Sequence, residues 1–158
     1  LKGCSCKLLA YDPFADPKFA AELAVDLVEL DILITRSDYV SLHVPNTPET
    51  KGMIHRGMFE KMKPGAFLIN LARGGVVIDT DLAQALEIGQ IAGAAVDVFE
   101  VEPPQLDHPL LKAPNVIVTP HMGAHSREAM NNMSVMAAEN TAAILTGRPC
   151  PNIIGGKK

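Results

Sequence analysis

The sequence predicts an α/β domain built on a doubly wound parallel sheet, and three observations carry that expectation. Short apolar runs such as CKLLAY and AFLINL alternate with helical patterns, the spacing of strand–helix–strand units. The runs are continuous rather than alternating, as suits strands covered on both faces. Functional groups recur just where the runs stop, at Asp12, His43-Val44-Pro45, Asn70 to Arg73, Asp97 to Glu102, and His121. In an open parallel sheet that edge is where ligands bind.

Each element follows in order. Residues 6–11 form a strand ended by Asp12-Pro13. Asp16 can cap the helix that runs to residue 24, and Pro17 at its first position loses no hydrogen bond. A weak strand at 26–28, a helix at 29–36 and a strand at 38–44 come next, then a loop of turn formers over 45–50. A helix over 56–62 stops at Lys63-Pro64-Gly65. The strand at 66–71 runs into the tight turn Ala72-Arg73-Gly74-Gly75. Asp79 is placed to cap a helix over 80–88, with Gly89 to end it. Small residues mark a strand at 91–99, and the last strand, 116–119, stops at Pro120-His121. The longest helix spans 127–146, with Met130, Met133, Ala137, Asn140 and Ile144 at three- and four-residue steps; Gly147 and Pro149 end it.

Composition bounds the function. The chain has 158 residues, 47% hydrophobic and 20% charged, enough apolar side chain for a core. Lys+Arg is 14 against 18 Asp+Glu, a net charge of −4, which argues against a nucleic-acid partner. No apolar stretch is long enough for a membrane span, and no secretory leader is legible. Cys4, Cys6 and Cys150 are odd in number and spaced like neither a zinc site nor a redox CxxC, so they are expected as thiols in a reducing, cytoplasmic setting. Leu1 stands where an initiator Met is usual, so the sequence reads as starting inside a domain.

The polar residues admit both chemical and plain readings. Asp12 could accept from the hydroxyls of a cofactor ribose, or simply form a turn before Pro13. Arg73 could fork onto a carboxylate, with Gly74 and Gly75 leaving the approach open, or be a surface Arg in a Gly turn. His121 is a natural proton acceptor near neutral pH, and a carboxylate such as Glu102 could orient its ring. His121 and His125 have HxxxH spacing, but Pro120 and Gly123 argue against a helix, so no metal site is expected. His55 and His108 adjoin turns and are expected to be solvated or capping. Neither a GxSxG elbow nor a GxxxxGK[ST] loop occurs.

The segments CKLLAYDP, SLHVPNTPETKGMI, MKPGAFLINLARGGVVID, AAVDVFEVEPP and NVIVTPHMGAHS, in that order, strongly resemble the D-isomer-specific 2-hydroxyacid dehydrogenases, the family of phosphoglycerate dehydrogenase and glyoxylate/hydroxypyruvate reductase. The resemblance implies a Rossmann-type sheet, NAD as cofactor, and hydride transfer between nicotinamide and a D-2-hydroxy acid, of the 3-phosphoglycerate or hydroxypyruvate/glyoxylate type. It implies Arg73 as the substrate-carboxylate residue, His121 as the proton acceptor and Glu102 as its partner. Asp12 would hold the adenosine ribose, with Val44, Pro45 and Thr50 along the adenine side. Leu71 and Ala72 would offer backbone contacts; Asp97, Gly123 and Ala124 would border the nicotinamide. Formate dehydrogenases, which resemble the group, carry Gln where this chain has Glu102, so a hydroxy acid is favoured. A homodimer is implied as well.

The chain departs from the family in one respect: it contains no GxGxxG, and the first strand and separate substrate domain are expected upstream. The sheet is therefore expected to be incomplete at its N-terminal end. Residues 1–125 read as part of the NAD-binding domain, and 126–158 as a helix and tail leading back to the substrate domain. Two other readings stay open at this stage: an NAD-sensing co-regulator of transcription with the same fold, and an inactive fragment.

Overall fold

The computed structural model describes residues 3, 5–150, 152 and 153, so Cys4 and Leu1 lie outside the described residues. Cys6 and Cys150 form no disulfide. The elements run β1 (Leu8–Ala10), α1 (Pro17–Glu22), β2 (Val25–Leu27), α2 (Leu30–Arg36), β3 (Tyr39–Leu42), α3 (Arg56–Phe59), β4 (Phe67–Asn70), α4 (Asp79–Glu87), β5 (Gly93–Val96), a 3₁₀ turn (Pro109–Leu111), β6 (Val116–Val118) and α5 (Arg127–Leu145). The expected elements are present, with one or two residues shed at most ends and the 3₁₀ turn added. The strand expected over 91–99 is much shorter, because beyond Val96 the chain leaves the ladder and its polar groups turn to the loops.

The chain divides into two compact units, Leu1–His121 and Met122–Lys158. In the first unit all strand pairs are parallel. They form two ladders, β1-β2 and β3-β4-β5-β6. β1 is half-buried along its length, with a ladder partner on one side, rather than fully buried as its sequence suggests.

Local chemistry explains the element ends. Asp16 accepts from the Lys18 N–H at 2.9 Å with Pro17 at the first helical position of α1. His55 caps α3 by accepting from the Gly57 N–H through Nδ1. Gly89, at φ +69°, follows the last turn of α4 in the left-handed region glycine favours. The core lies between the four-stranded sheet and its helices. Ile34, Ile54, Phe59, Leu68, Leu82 and Leu110 are fully enclosed, and each such side chain contributes about 1.5–3 kcal/mol by leaving water.

In the second unit, α5 starts at Ser126, whose hydroxyl accepts from the Ala129 N–H at 3.1 Å. Gly147, at φ +66°, follows its end. Cys150 and Asn152 then both reach back to the side chain of Asn140 on the helix.

Register is what positions the functional residues. Leu42, Asn70, Val96 and Val118 are successive partners across the four strands, so these strands end level with one another. The segments that follow, beginning His43, Leu71, Asp97 and Thr119, therefore leave one edge of the sheet.

Candidate active site

The loop after β4 presents Arg73, and a buried amide holds it. Asn70, the last residue of the strand, is 1% exposed. Its Oδ1 accepts from the Ala72 N–H at 3.2 Å, and its Nδ2 donates to the Arg73 carbonyl at 3.3 Å. A side chain satisfied on both sides fixes the turn with little freedom. The Arg73 guanidinium lies at the surface and donates through Nη1 to the Ala72 carbonyl at 2.6 Å. Ala72 thus spends both backbone groups within the loop.

Neighbouring loops close on this turn. Asn46, in the loop after β3, donates through Nδ2 to the Gly74 carbonyl at 2.9 Å. Thr50 ties the same loop together, donating to the Pro45 carbonyl at 2.5 Å and accepting from the Thr47 N–H at 2.8 Å. On the other side, Gly74 abuts the chain after β5: a Cβ there would lie 1.9 Å from the Phe99 carbonyl oxygen. The Arg73 turn and the segment that leads to Glu102 are thus in direct backbone contact.

That segment carries the acid. Glu102 Oε1 accepts from the Phe99 N–H at 3.0 Å, and Oε2 lies 2.7 Å from His121 Nδ1. One oxygen is fixed by backbone, so the other is presented to the ring in a set direction. With Nδ1–H given to the carboxylate, Nε2 is the nitrogen left to exchange a proton. His121 stands at φ +51°, in the left-handed region that a non-glycine residue enters at a cost. Below it, the Thr119 hydroxyl donates to Asp97, which is 2% exposed, tying the ends of β5 and β6 together.

The hydrogen bond from His121, and after it the Phe99 N–H, hold the Glu102 carboxyl below its ordinary 4.5. The sign is that of a depressed acid. The pair is present above the ordinary carboxylate range and is lost as pH falls through the lowered value. A carboxyl carbon-13 titration of Glu102 is expected to give a midpoint below 4.5, and His121→Asn to raise it.

Of the residues singled out from sequence, Arg73, Glu102 and His121 follow β4, β5 and β6. Glu102 and His121 are in contact, and Arg73 reaches Glu102's segment through Gly74. Asp12 is exposed just after β1, where its Oδ1 accepts from the Phe14 N–H at 2.8 Å, so it does form the turn. Val44 is half-buried and Pro45 and Leu71 are exposed at the same sheet edge. Gly123 and Ala124 belong to the second unit. Asn46 and Thr119 were not legible as site residues, whereas Asn70 and Phe99 fall within the strand-end groups 70–73 and 97–102, with no role of their own assigned from sequence. A polar residue closing an apolar strand, as in AFLIN, is the signal that points to Asn70.

Two expectations are corrected. Asp79 is the first residue of α4 rather than its cap, and its side chain makes no cap hydrogen bond. His108 stands at the N-cap position of the 3₁₀ turn, but its side chain makes no cap hydrogen bond and is not solvated: its Nε2 lies 3.3 Å from Asp79 Oδ2 and the side chain is 21% exposed. Burial turned both side chains inward, toward each other. Among the described residues no group of three or more His, Cys, Asp or Glu is placed to hold a metal, and no helix is long and apolar enough to cross a membrane.

A dinucleotide fits the residues present. An exposed carboxylate after β1 suits ribose hydroxyls, Pro13-Phe14 beside it bring no cation for an extra phosphate, and an imidazole and a guanidinium stand on the same sheet edge.

The chain is similar to known proteins in sequence and in fold. The profile described as "D-isomer specific 2-hydroxyacid dehydrogenase, NAD binding domain" matches residues 1–123. D-3-phosphoglycerate dehydrogenase of Archaeoglobus fulgidus is 44% identical over 153 residues, covering 97% of this chain and 29% of that protein. Glyoxylate reductase of Korarchaeum cryptofilum is also 44% identical over 153 residues, 97% of this chain and 46% of that protein. D-lactate dehydrogenase of Lactobacillus jensenii, solved with NAD+, superposes with a TM-score of 0.86 at 30% identity, covering 98% of this chain and 50% of that one. The Aquifex aeolicus D-lactate dehydrogenase, complexed with NAD and lactic acid, gives 0.84 at 31% identity, covering 92% and 48%. The chain therefore spans less than half the length of these two curated relatives.

Proposed function

This chain belongs to the D-isomer-specific 2-hydroxyacid dehydrogenase family, and from that premise we propose that it carries the proton-transfer and NAD-binding residues of an oxidoreductase interconverting a D-2-hydroxy acid and its 2-keto acid. The observation that supports this best is the His121–Glu102 contact of 2.7 Å beside the Arg73 turn. In oxidation, His121 Nε2 takes the hydroxyl proton of the substrate while Glu102 stabilises the imidazolium. In reduction the same nitrogen returns the proton to the forming alkoxide. Arg73 swings its guanidinium from the Ala72 carbonyl onto the substrate carboxylate, orienting C2 and favouring negative charge on the reacting oxygen.

When bound, NAD would supply the redox chemistry, hydride exchange with C2 of the substrate. Asp12, Val44, Pro45 and Thr50 are the residues proposed to hold its adenosine half, and Leu71 and Ala72 are proposed to offer it backbone contacts. Asp97, Gly123 and Ala124 are proposed for its nicotinamide half. Residues 1–125 are proposed as part of the NAD-binding domain, and 126–158 as the helix and tail returning toward a substrate domain. The substrate is proposed to be of the 3-phosphoglycerate or hydroxypyruvate/glyoxylate type, and the working form a homodimer in a reducing, cytoplasmic setting.

The test is NADH oxidation by the intact protein with hydroxypyruvate, glyoxylate and phosphohydroxypyruvate. Turnover on at least one is expected. Arg73→Lys replaces a fork with a point charge and is expected to lower kcat/KM by at least about 10²-fold, in the range of a lost transition-state donor, with NADH affinity kept. Wild-type rates in this variant would remove Arg73 from the chemistry.

A further inference from the structure

Behind the loop that carries Glu102 sits a pair of side chains that the proposed chemistry does not use. Asp79, at the start of α4, has a side chain 13% exposed. His108, just before the 3₁₀ turn, lies against it through Nε2. The other face of the contact is aromatic: the His108 ring meets the Phe99 ring edge-on, with centroids 5.3 Å apart and planes at 85°. Phe99 is the residue whose N–H holds Glu102 Oε1 and whose carbonyl packs on Gly74.

The loop from 99 to 108 is mostly exposed, with Glu100, Val101, Glu102, Pro103, Gln105, Leu106 and Asp107 all at the surface. Its two ends, Phe99 and His108, touch, and Asp79 anchors that junction to a helix. An exposed loop pinned at its base has far fewer positions to sample than one pinned nowhere. We infer that Asp79 and His108 are positioning residues for the Glu102–His121 proton-transfer pair, bracing the loop that presents Glu102. This rests on the dehydrogenase reading for its bearing on turnover, but its geometric content does not.

The character of His108 supports the role. Its Nδ1 is buried without a hydrogen-bond partner among the described residues. A ring with one bare nitrogen is a poor core filler where leucine would pack without that cost. What the imidazole adds is two directional contacts at once, one to a carboxylate and one to an aromatic face. Burial pushes the Asp79 carboxyl up, His108 pulls it back in part, and Glu100 adds to the rise. The charged groups facing the pair are Glu100, its ion partner Lys51, and Asp107, which line a cavity of about 690 Å³ over it. Those near Glu102 are His121 and Asp97.

The experiment compares the intact protein with His108→Leu, which keeps volume but loses both directional contacts, and with Asp79→Asn, which keeps an acceptor for Nε2–H. The first readout is the carbon-13 titration of the Glu102 carboxyl. The Phe99 N–H helps hold this group down, so loosening the loop in His108→Leu is expected to move its midpoint upward, with Asp79→Asn staying close to wild type. The second is kinetic. His108→Leu is expected to lower kcat about tenfold, since misplacement by an ångström can cost up to about 10²-fold. KM for NADH is expected to stay within about twofold, because neither Asp79 nor His108 is among the residues proposed to hold the dinucleotide. The acid limb of keto-acid reduction is expected to move up with the Glu102 midpoint. Should His108→Leu not fold, Asp79→Ala cuts the brace at its helix end and carries the same expectation. An unmoved Glu102 midpoint in a folded variant overturns the inference, as does a loss of rate that only tracks loss of folded protein. Absence of turnover in the wild type overturns the dehydrogenase reading alone, since the titration still decides the brace.

Discussion

His121→Asn is expected to lower turnover by about 10²–10⁴-fold, the usual worth of a positioned acid–base group, while leaving NADH affinity near wild type. Asn is the informative replacement because of the backbone. His121 sits at φ +51°, and Asn enters the left-handed region more readily than Ala does. His121→Ala would mix a chemical loss with backbone strain, whereas Asn keeps the turn and removes the titrating nitrogen. Asn also reaches toward Glu102 as a donor, so the carboxylate is not stranded. The check is kcat in both directions, with NADH affinity from quenching of its fluorescence. The oxidation direction is expected to suffer at neutral pH because it lacks an acceptor for the hydroxyl proton. Turnover within about threefold of wild type, well inside the general acid–base range, would remove His121 from proton transfer.

Much of this was legible from the chain, because backbone punctuation and strand patterning are local. Asp16-Pro17 marks a helix start, Gly89 and Gly147 mark helix ends, and the apolar runs mark strands that pair in parallel and finish level. Once strands finish level, the residues following them must share an edge, so Arg73, Glu102 and His121 could be grouped before any coordinate was known. What could not be read was which partner each polar side chain takes. Asp79 has the position of a helix cap and His108 that of a surface turn, yet they lie together in a junction closed by Phe99. Their separation, 108 − 79 = 29 residues, bears no local pattern. Asn46 escaped for the same reason, and Asn70, visible as a strand-end group, did not show its partners: an amide's role is set by the groups it bridges, and those come from the fold. The short β5 has a related cause: its ladder ends at Val96, and beyond it the Asp97 carboxylate accepts from Thr119 and the Phe99 N–H donates to Glu102, partners no local pattern shows.

The second large effect is expected at Gly74. A methyl group there would stand 1.9 Å from the Phe99 carbonyl oxygen, 2.1 Å from its carbon and 2.6 Å from the Glu100 nitrogen. All three are backbone atoms, so no rotamer change relieves the clash, and the two loops must part by more than an ångström. Gly74→Ala therefore acts twice. Overpacking of this kind costs about 1–3 kcal/mol or more in stability. The displacement also separates Arg73 from the Glu102 segment, and an ångström of misplacement is worth about 10²-fold in rate. Because Gly74 adopts no left-handed φ, the effect is steric and not conformational, unlike a change at Gly75, which stands at φ +80°. Gly65→Ala supplies the control, as a Cβ there meets nothing within 4 Å and the change is expected to leave melting and turnover within error. Melting temperature and kcat/KM of the two variants, measured side by side, decide the matter. If Gly74→Ala melts and turns over like Gly65→Ala, the Arg73 turn and the Glu102 loop do not share a contact, and the grouping of guanidinium, acid and imidazole loses its footing.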